Sequence, residues 1–368
     1  MARITSAARS SGRTAARLPP SAPIGVRIAS MMTTSSKRPS QASKDWGATP
    51  PVFYIILSPS LRQGPGGHCN QLRQSLKAPA CEPREASLPS GGRMKLLIAV
   101  DMEGITGVTT WDHVTPTHPE YQRFRRLMTA DVNAAIRGAF QGGVDEVVVS
   151  DGHWNSDNIL IEELDARARL NTGTPSPFSM VQGIDQGVDA VFFIGYHARI
   201  GTPQAILDHT WSSARVQNVW LNGRLVGEIG LNGAVCGHFG APVLMISGDQ
   251  SAAAEAEEWL PGVEKVVVKR ASGRWAAEVL PPAQTQVLIC EAAERAVRRF
   301  RSGQAPAALK VETPVNNVVE FFYAEMADKA MLLPGSRRLD GRRIEIISAD
   351  MPTAYRSFRA AVMLALRG

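Results

Sequence analysis

The sequence predicts an α/β fold: a three-layer α/β/α sandwich with a mostly parallel sheet and a smaller subdomain that contains a β-hairpin. Three observations carry this expectation. From Met94 onward, short β-branched runs alternate with longer stretches of helical period. Strand, helix and strand in series build a parallel sheet covered by helices on both faces. One stretch breaks the alternation, where residues 216–221 and 225–227 flank Asn222-Gly223, a dipeptide that favours a type I′ turn.

The elements follow in order. Residues 95–100 (KLLIAV) read as the first strand, and Gly104 lets the chain turn soon after it. A helix over 120–141 follows, because Phe124, Leu127, Met128, Val132, Ala135, Ile136 and Ala139 recur at spacings close to 3.6. Residues 146–150 and 190–194 are the next strands. The hairpin projects from an excursion near 198–227. Beyond it a helix over 229–239 feeds a strand at 242–247, and a helix over 251–260 feeds a strand at 263–268. Helices over 286–300 and 353–366 complete the chain.

Residues 1–93 differ in kind. They are rich in Ser, Pro, Arg and Ala without sustained periodicity, and are expected to be a disordered or non-native N-terminal extension. An Arg-rich, acid-poor start also fits an organelle transit peptide, but Met94 directly before the first clean strand favours upstream sequence included by a wrong start codon. The folded domain is therefore expected over 94–368. Of the 40 basic and 34 acidic residues, 13 and 3 fall in residues 1–93, which leaves 27 and 31 for the remainder. The basic surplus belongs to the extension, and the slightly acidic body argues against a nucleic-acid partner. No apolar run approaches the roughly 18 residues of a membrane span. Four cysteines without a CxxC pair point to a reducing, cytoplasmic setting.

Polar residues at the carboxyl ends of parallel strands carry functional weight, because ligands collect on that edge. The first strand ends in Asp101-Met102-Glu103, whose two carboxylates can face one site. The second runs into Ser150-Asp151-Gly152-His153, and the third into Gly195-Tyr196-His197. Glu228 opens a helix that feeds a parallel strand, so it belongs to the same edge. Taken singly, each has a purely structural reading: an acidic loop, a core histidine, a carboxylate favouring the helix dipole. Together, three carboxylates and two imidazoles without a thiolate fit a hydrolytic metal site, and five donors suffice for two ions if one carboxylate bridges. His209 stands before the hairpin and can assist in catalysis if the excursion folds back over the metals. His68, His113, His118 and His238 receive no role. Trp111, Trp154, Trp211 and Trp220 are read as packing residues.

Residues 94–105 (MKLLIAVDMEGI) resemble the opening of the DppA-type D-aminopeptidases, zinc peptidases first labelled dipeptide transport proteins. Further matches follow in order at 150–153 (SDGH), 177–181 (PFSMV), 195–199 (GYHAR), 202–203 (TP), 226–232 (VGEIGLN) and 242–245 (PVLM). The resemblance implies two Zn²⁺ per subunit bridged by Asp101, with Glu103 and His197 completing one site and His153 and Glu228 the other. It also implies that His209 is catalytic, although the spacing from His197 is about one residue longer than the family pattern. The expected reaction is removal of an N-terminal residue, preferably a D-amino acid, from short peptides or amides by metal-hydroxide attack. The resemblance further implies a ring-shaped homo-oligomer that admits small peptide substrates. Two rivals are a magnesium-dependent phosphohydrolase, which the two histidines disfavour, and a non-catalytic peptide-binding protein, for which no secretory signal is present.

Overall fold

The computed structural model describes residues 92–366. The expectations for the N-terminal extension fall, through residue 91, outside the described residues. In chain order the elements are β1 (Lys95–Val100), α1 (Trp111–Val114), α2 (Tyr121–Gly142), β2 (Glu146–Asp151), β3 (Ala168–Asn171), β4 (Ala190–Ile194), β5 (Val216–Leu221), β6 (Arg224–Leu225), α3 (Glu228–His238) and β7 (Val243–Asp249). They continue with α4 (Gln250–Trp259), β8 (Glu264–Gly273), β9 (Ala276–Val279), α5 (Pro282–Arg301), β10 (Val315–Phe321), α6 (Ala324–Ala330), β11 (Ser336–Arg338), β12 (Arg343–Ser348) and α7 (Met351–Leu364).

The larger sheet has seven strands in the order β3-β2-β1-β4-β7-β8-β9. Its first six run parallel and β9 is an antiparallel edge. Both faces of β1 are covered, which explains its unbroken apolar run. Leu96, Ile98 and Val100 join the core beneath α2 and α5, whereas Leu97 and Ala99 join the core with α3 and α4. The same alternation sends the adjacent Phe192 and Phe193 of β4 to opposite faces. Each of these fully buried rings contributes roughly 1.5–3 kcal/mol through burial.

The hairpin forms as expected. Asn222 and Gly223 both have positive φ (47° and 79°), the type I′ signature. It does not stand as an isolated projection. β5 pairs with β10, and a second, antiparallel sheet is completed in the order β11-β12-β10-β5-β6. α7 packs its Tyr355 and Phe358 into the core shared by this sheet and the larger one. Strands β3 and β9–β12 are not anticipated by the sequence reading. In β10 the inward positions are Val315, Asn317, Val319 and Phe321, so a buried asparagine interrupts the apolar alternation. Its amide nitrogen donates to the Ala354 carbonyl at 3.2 Å, a bond that α7 supplies from outside the strand.

Candidate metal centre

The carboxyl edge of the parallel sheet gathers every donor singled out in the sequence. Asp101 follows β1, His153 lies two residues beyond β2, His197 lies three beyond β4, and Glu228 is the first residue of α3. The ends of β1 and β4 are drawn together by backbone bonds from Asp101 N to Ile194 O (2.9 Å) and from Gly104 N to Gly195 O (2.7 Å). That approach requires glycine twice. A Cβ on Gly104 would sit 2.1 Å from the Tyr196 carbonyl oxygen, and one on Gly195, at φ +75°, would sit 2.2 Å from the Asp101 carbonyl oxygen.

The side chains form two groups that meet at Asp101. On one side, His153 Nδ1 lies 3.4 Å from Asp101 Oδ1 and 3.1 Å from Glu103 Oε2. On the other, His197 Nε2 lies 3.4 Å from Asp101 Oδ2 and 3.3 Å from Glu228 Oε1. His209 joins the second group, with Nε2 at 3.9 Å from Glu228 Oε1 and its ring stacked on His197 at 4.1 Å between centroids. This grouping differs from the one implied by resemblance: Glu103 stands with His153, and His197 with Glu228. Asp101, Glu103 and His153 offer ligand atoms within 4.8 Å of one another, as do His197, His209 and Glu228.

Each imidazole is oriented by its second nitrogen. His153 Nε2 donates to Val114 O (2.8 Å), His197 Nδ1 to Ala198 O (2.9 Å) and His209 Nδ1 to Leu207 O (2.8 Å). A carbonyl can only accept, so each of these nitrogens carries a proton and the other nitrogen of each ring is the one aimed at the carboxylates, the orientation of metal-ligating histidines. Glu103 Oε2 and His197 Nε2 are buried without a properly directed hydrogen bond, despite the short separations above. Buried polar atoms left this way, in a set of nitrogen and carboxylate donors, fit a divalent transition metal and are a poor match for magnesium.

Electrostatics reinforces the grouping. Burial pushes the Asp101 carboxyl up, but the close approach of His153 and His197 outweighs it and holds the group well below the usual carboxylate range. Burial alone would lower both histidines, yet Glu103 and Asp101 raise His153, and Glu228 and Asp101 raise His197, well above the ordinary value. His209 shifts the other way, lowered first by burial and then by the neighbouring His197.

The excursion does fold back. Arg274 Nε donates to Asp208 Oδ1 at 2.6 Å and its Nη2 to the Asp208 carbonyl at 2.9 Å, while Gly201 N donates to Asp208 Oδ2 at 2.6 Å. Trp211 N donates to Glu228 Oε1 at 2.7 Å, which ties the His209 segment to a donor of the cluster. Trp111 presents its ring edgewise to His209 at 5.5 Å. The sequence reading misses Asp208 and Arg274, because their pairing crosses 66 residues. It also misses Asp151, which accepts from Asn158 N, Ile159 N and Asn158 Nδ2 at 2.6–2.8 Å and thereby fixes the loop bearing His153. Asp-Gly-His at a strand end was the available signal. Trp154 is not a packing residue: it is 58% exposed, beside His153. His113, His118 and His238 lie outside both donor groups, and His68 is outside the described residues.

Among the described residues, no helix is long and apolar enough to cross a membrane. A family model described as D-aminopeptidase matches residues 94–360. The chain is 36% identical over 275 residues to a D-aminopeptidase of Bacillus subtilis strain 168, an alignment covering 74% of this chain and 98% of that protein. It is also similar to a solved structure described as the Zn-dependent D-aminopeptidase DppA from Bacillus subtilis, a self-compartmentalizing protease. That similarity has a TM-score of 0.72 at 36% identity and covers 75% of this chain and 99% of the other. With the α/β architecture, the buried donor cluster and a match over most of its length in agreement, this chain is a peptidase that belongs to the D-aminopeptidase family.

Proposed function

We propose that the protein is a dinuclear zinc aminopeptidase that removes an N-terminal residue, preferably a D-amino acid, from short peptides or amides. The observation that carries the reading is Asp101, whose Oδ1 faces His153 and whose Oδ2 faces His197, so that one carboxylate joins two donor groups. Two zinc ions per subunit would be held by Asp101, Glu103, His153, His197 and Glu228. Zinc bound there would polarise the scissile carbonyl and lower the pKa of a bound water. Asp101 shares its oxygens between the two groups and fixes their separation. His209, held by Leu207 O through Nδ1 and kept largely unprotonated by burial, has a free Nε2 that can take a proton during attack and return it to the leaving amine. The Asp208–Arg274 pair keeps the His209 segment folded over the donors, and the burial of the five donor side chains limits bulk water.

The Zn-dependent relative supports zinc and D-residue selectivity, and its self-compartmentalizing character supports a ring-shaped homo-oligomer that admits only small peptides. Residues 94–368 form the catalytic unit in this reading, in line with the start of the family match at residue 94. Cys236 and Cys290 are free thiols, which supports a reducing, cytoplasmic setting.

The test pairs metal analysis with hydrolysis of D-alanyl and L-alanyl dipeptides. The expected result is two zinc ions per chain, faster turnover of the D-peptide, loss of activity on chelation and its return with zinc. Asp101→Ala should bind neither ion tightly. Full turnover after metal removal, or an unchanged two-zinc content in Asp101→Ala, overturns the proposal.

A further inference from the structure

A buried lysine ends beneath the loop that carries Glu103. Lys269 lies on β8, with β4 and β7 between it and β1, and the expected strand at 263–268 stops one residue short of it. Its side chain is fully buried, and Nζ donates to three backbone carbonyls: Glu103 O at 2.6 Å, Ile105 O at 2.9 Å and Val108 O at 2.7 Å. Three acceptors match the three N–H bonds of an ammonium group, whereas a water molecule could donate to only two. Carbonyl oxygens converging on one point repel one another, so this loop conformation depends on N–H donors at its centre, and the protein supplies them covalently through an amine whose pKa burial lowers to about 7.

The loop is gripped at a second point as well. Asp131 of α2 accepts from Thr106 N and Thr106 Oγ1, both at 3.0 Å, and Thr106 Oγ1 in turn accepts from the Thr285 hydroxyl of α5 at 2.8 Å. None of these residues reaches the donor cluster itself. Lys269 hydrogen-bonds Glu103 through its peptide oxygen, and the Glu103 carboxylate is the part that faces His153.

We propose that Lys269 is a positioning residue that acts as a tethered hydrogen-bond donor, setting the backbone of the 103–108 loop so that Glu103 can ligate a metal ion. The inference rests on the two-zinc reading above. It assigns Lys269 no contact with substrate.

The test is competitive titration of the full chain with zinc against a chelator, alongside thermal unfolding. Wild type should take up two ions; if it does not, the two-zinc reading fails, separately from the role of Lys269. Lys269→Met should weaken one ion by about 10- to 100-fold, the range typical of residues that orient metal ligands, and leave the other unchanged. In a Glu103→Gln background the same change should add little, because the effect passes through Glu103. A cavity variant remote from the site, Val319→Ala in the second sheet, should lower thermal stability while keeping both affinities. Should Lys269→Met not fold, Asp131→Asn loosens the same loop with Lys269 in place and should weaken the same single ion. Wild-type affinity for both ions in the variant that folds, an equal loss of both, or an undiminished effect in the Glu103→Gln background would overturn the proposal.

Discussion

Replacing Glu255 with Gln should change how the stability of the fold depends on pH. Glu255 lies on α4 behind the segment bearing His197, where its Oε2 accepts from Arg199 N at 2.7 Å and its buried Oε1 has no hydrogen-bond partner. Burial pushes its carboxyl from the ordinary 4.5 up to about 7, against the opposing pull of the Arg199 amide and guanidinium. The folded protein therefore holds this proton at pH values where the unfolded chain has released it. The resulting stabilisation is fully present below pH 4.5 and is lost as pH rises to about 7. An interval of about 2.5 pH units corresponds to about 3 kcal/mol. Glutamine keeps an oxygen for Arg199 N and carries no charge at any pH. Urea unfolding of both proteins at equal zinc should show the stability of Glu255→Gln relative to wild type growing by up to about 3 kcal/mol between pH 4.5 and pH 8. A difference that stays constant over that range would refute the assignment of a buried, late-titrating carboxyl.

Two further predictions concern the histidine above the cluster. His209→Ala should lower kcat by about 10²- to 10⁴-fold while leaving zinc content unchanged, as expected of a proton-transfer group that is not a required ligand; steady-state kinetics with metal analysis decides. Loss of one zinc would instead make His209 a ligand, as its position beside His197 and Glu228 allows. Arg274→Met removes the partner of Asp208 and should cost roughly 10²-fold in kcat by misplacing His209, with the metal content of the wild type retained. Unaltered kinetics would show that the segment holds its place without that ion pair.

Much of the frame is legible before any coordinates. The limits of β4 coincide with its apolar run and β1 adds only Lys95 ahead of its own, since the body of a strand buried on both faces has no polar residue to interrupt it. The smaller sheet is less legible: β10 places Asn317 inside, and β12 exposes Ile347 while burying most of Glu345. Such strands owe their identity to a partner roughly a hundred residues away or to a helix later in the chain, and local patterning registers neither.

The site divides in the same way. That Asp101, Glu103, His153, His197 and Glu228 share one edge follows from sequence alone, because right-handed crossovers point every parallel strand the same way and motif order fixes what stands at each end. Which donor faces which was settled only in three dimensions, by two glycines that let neighbouring strand ends touch and by carbonyls that select each ring nitrogen. The anchors of the cluster, Arg274 on Asp208 and Lys269 beneath Glu103, belong wholly to tertiary structure. Their chemistry is ordinary for their residue types, and only the path of the folded chain brings each to an acceptor 66 or 166 positions away.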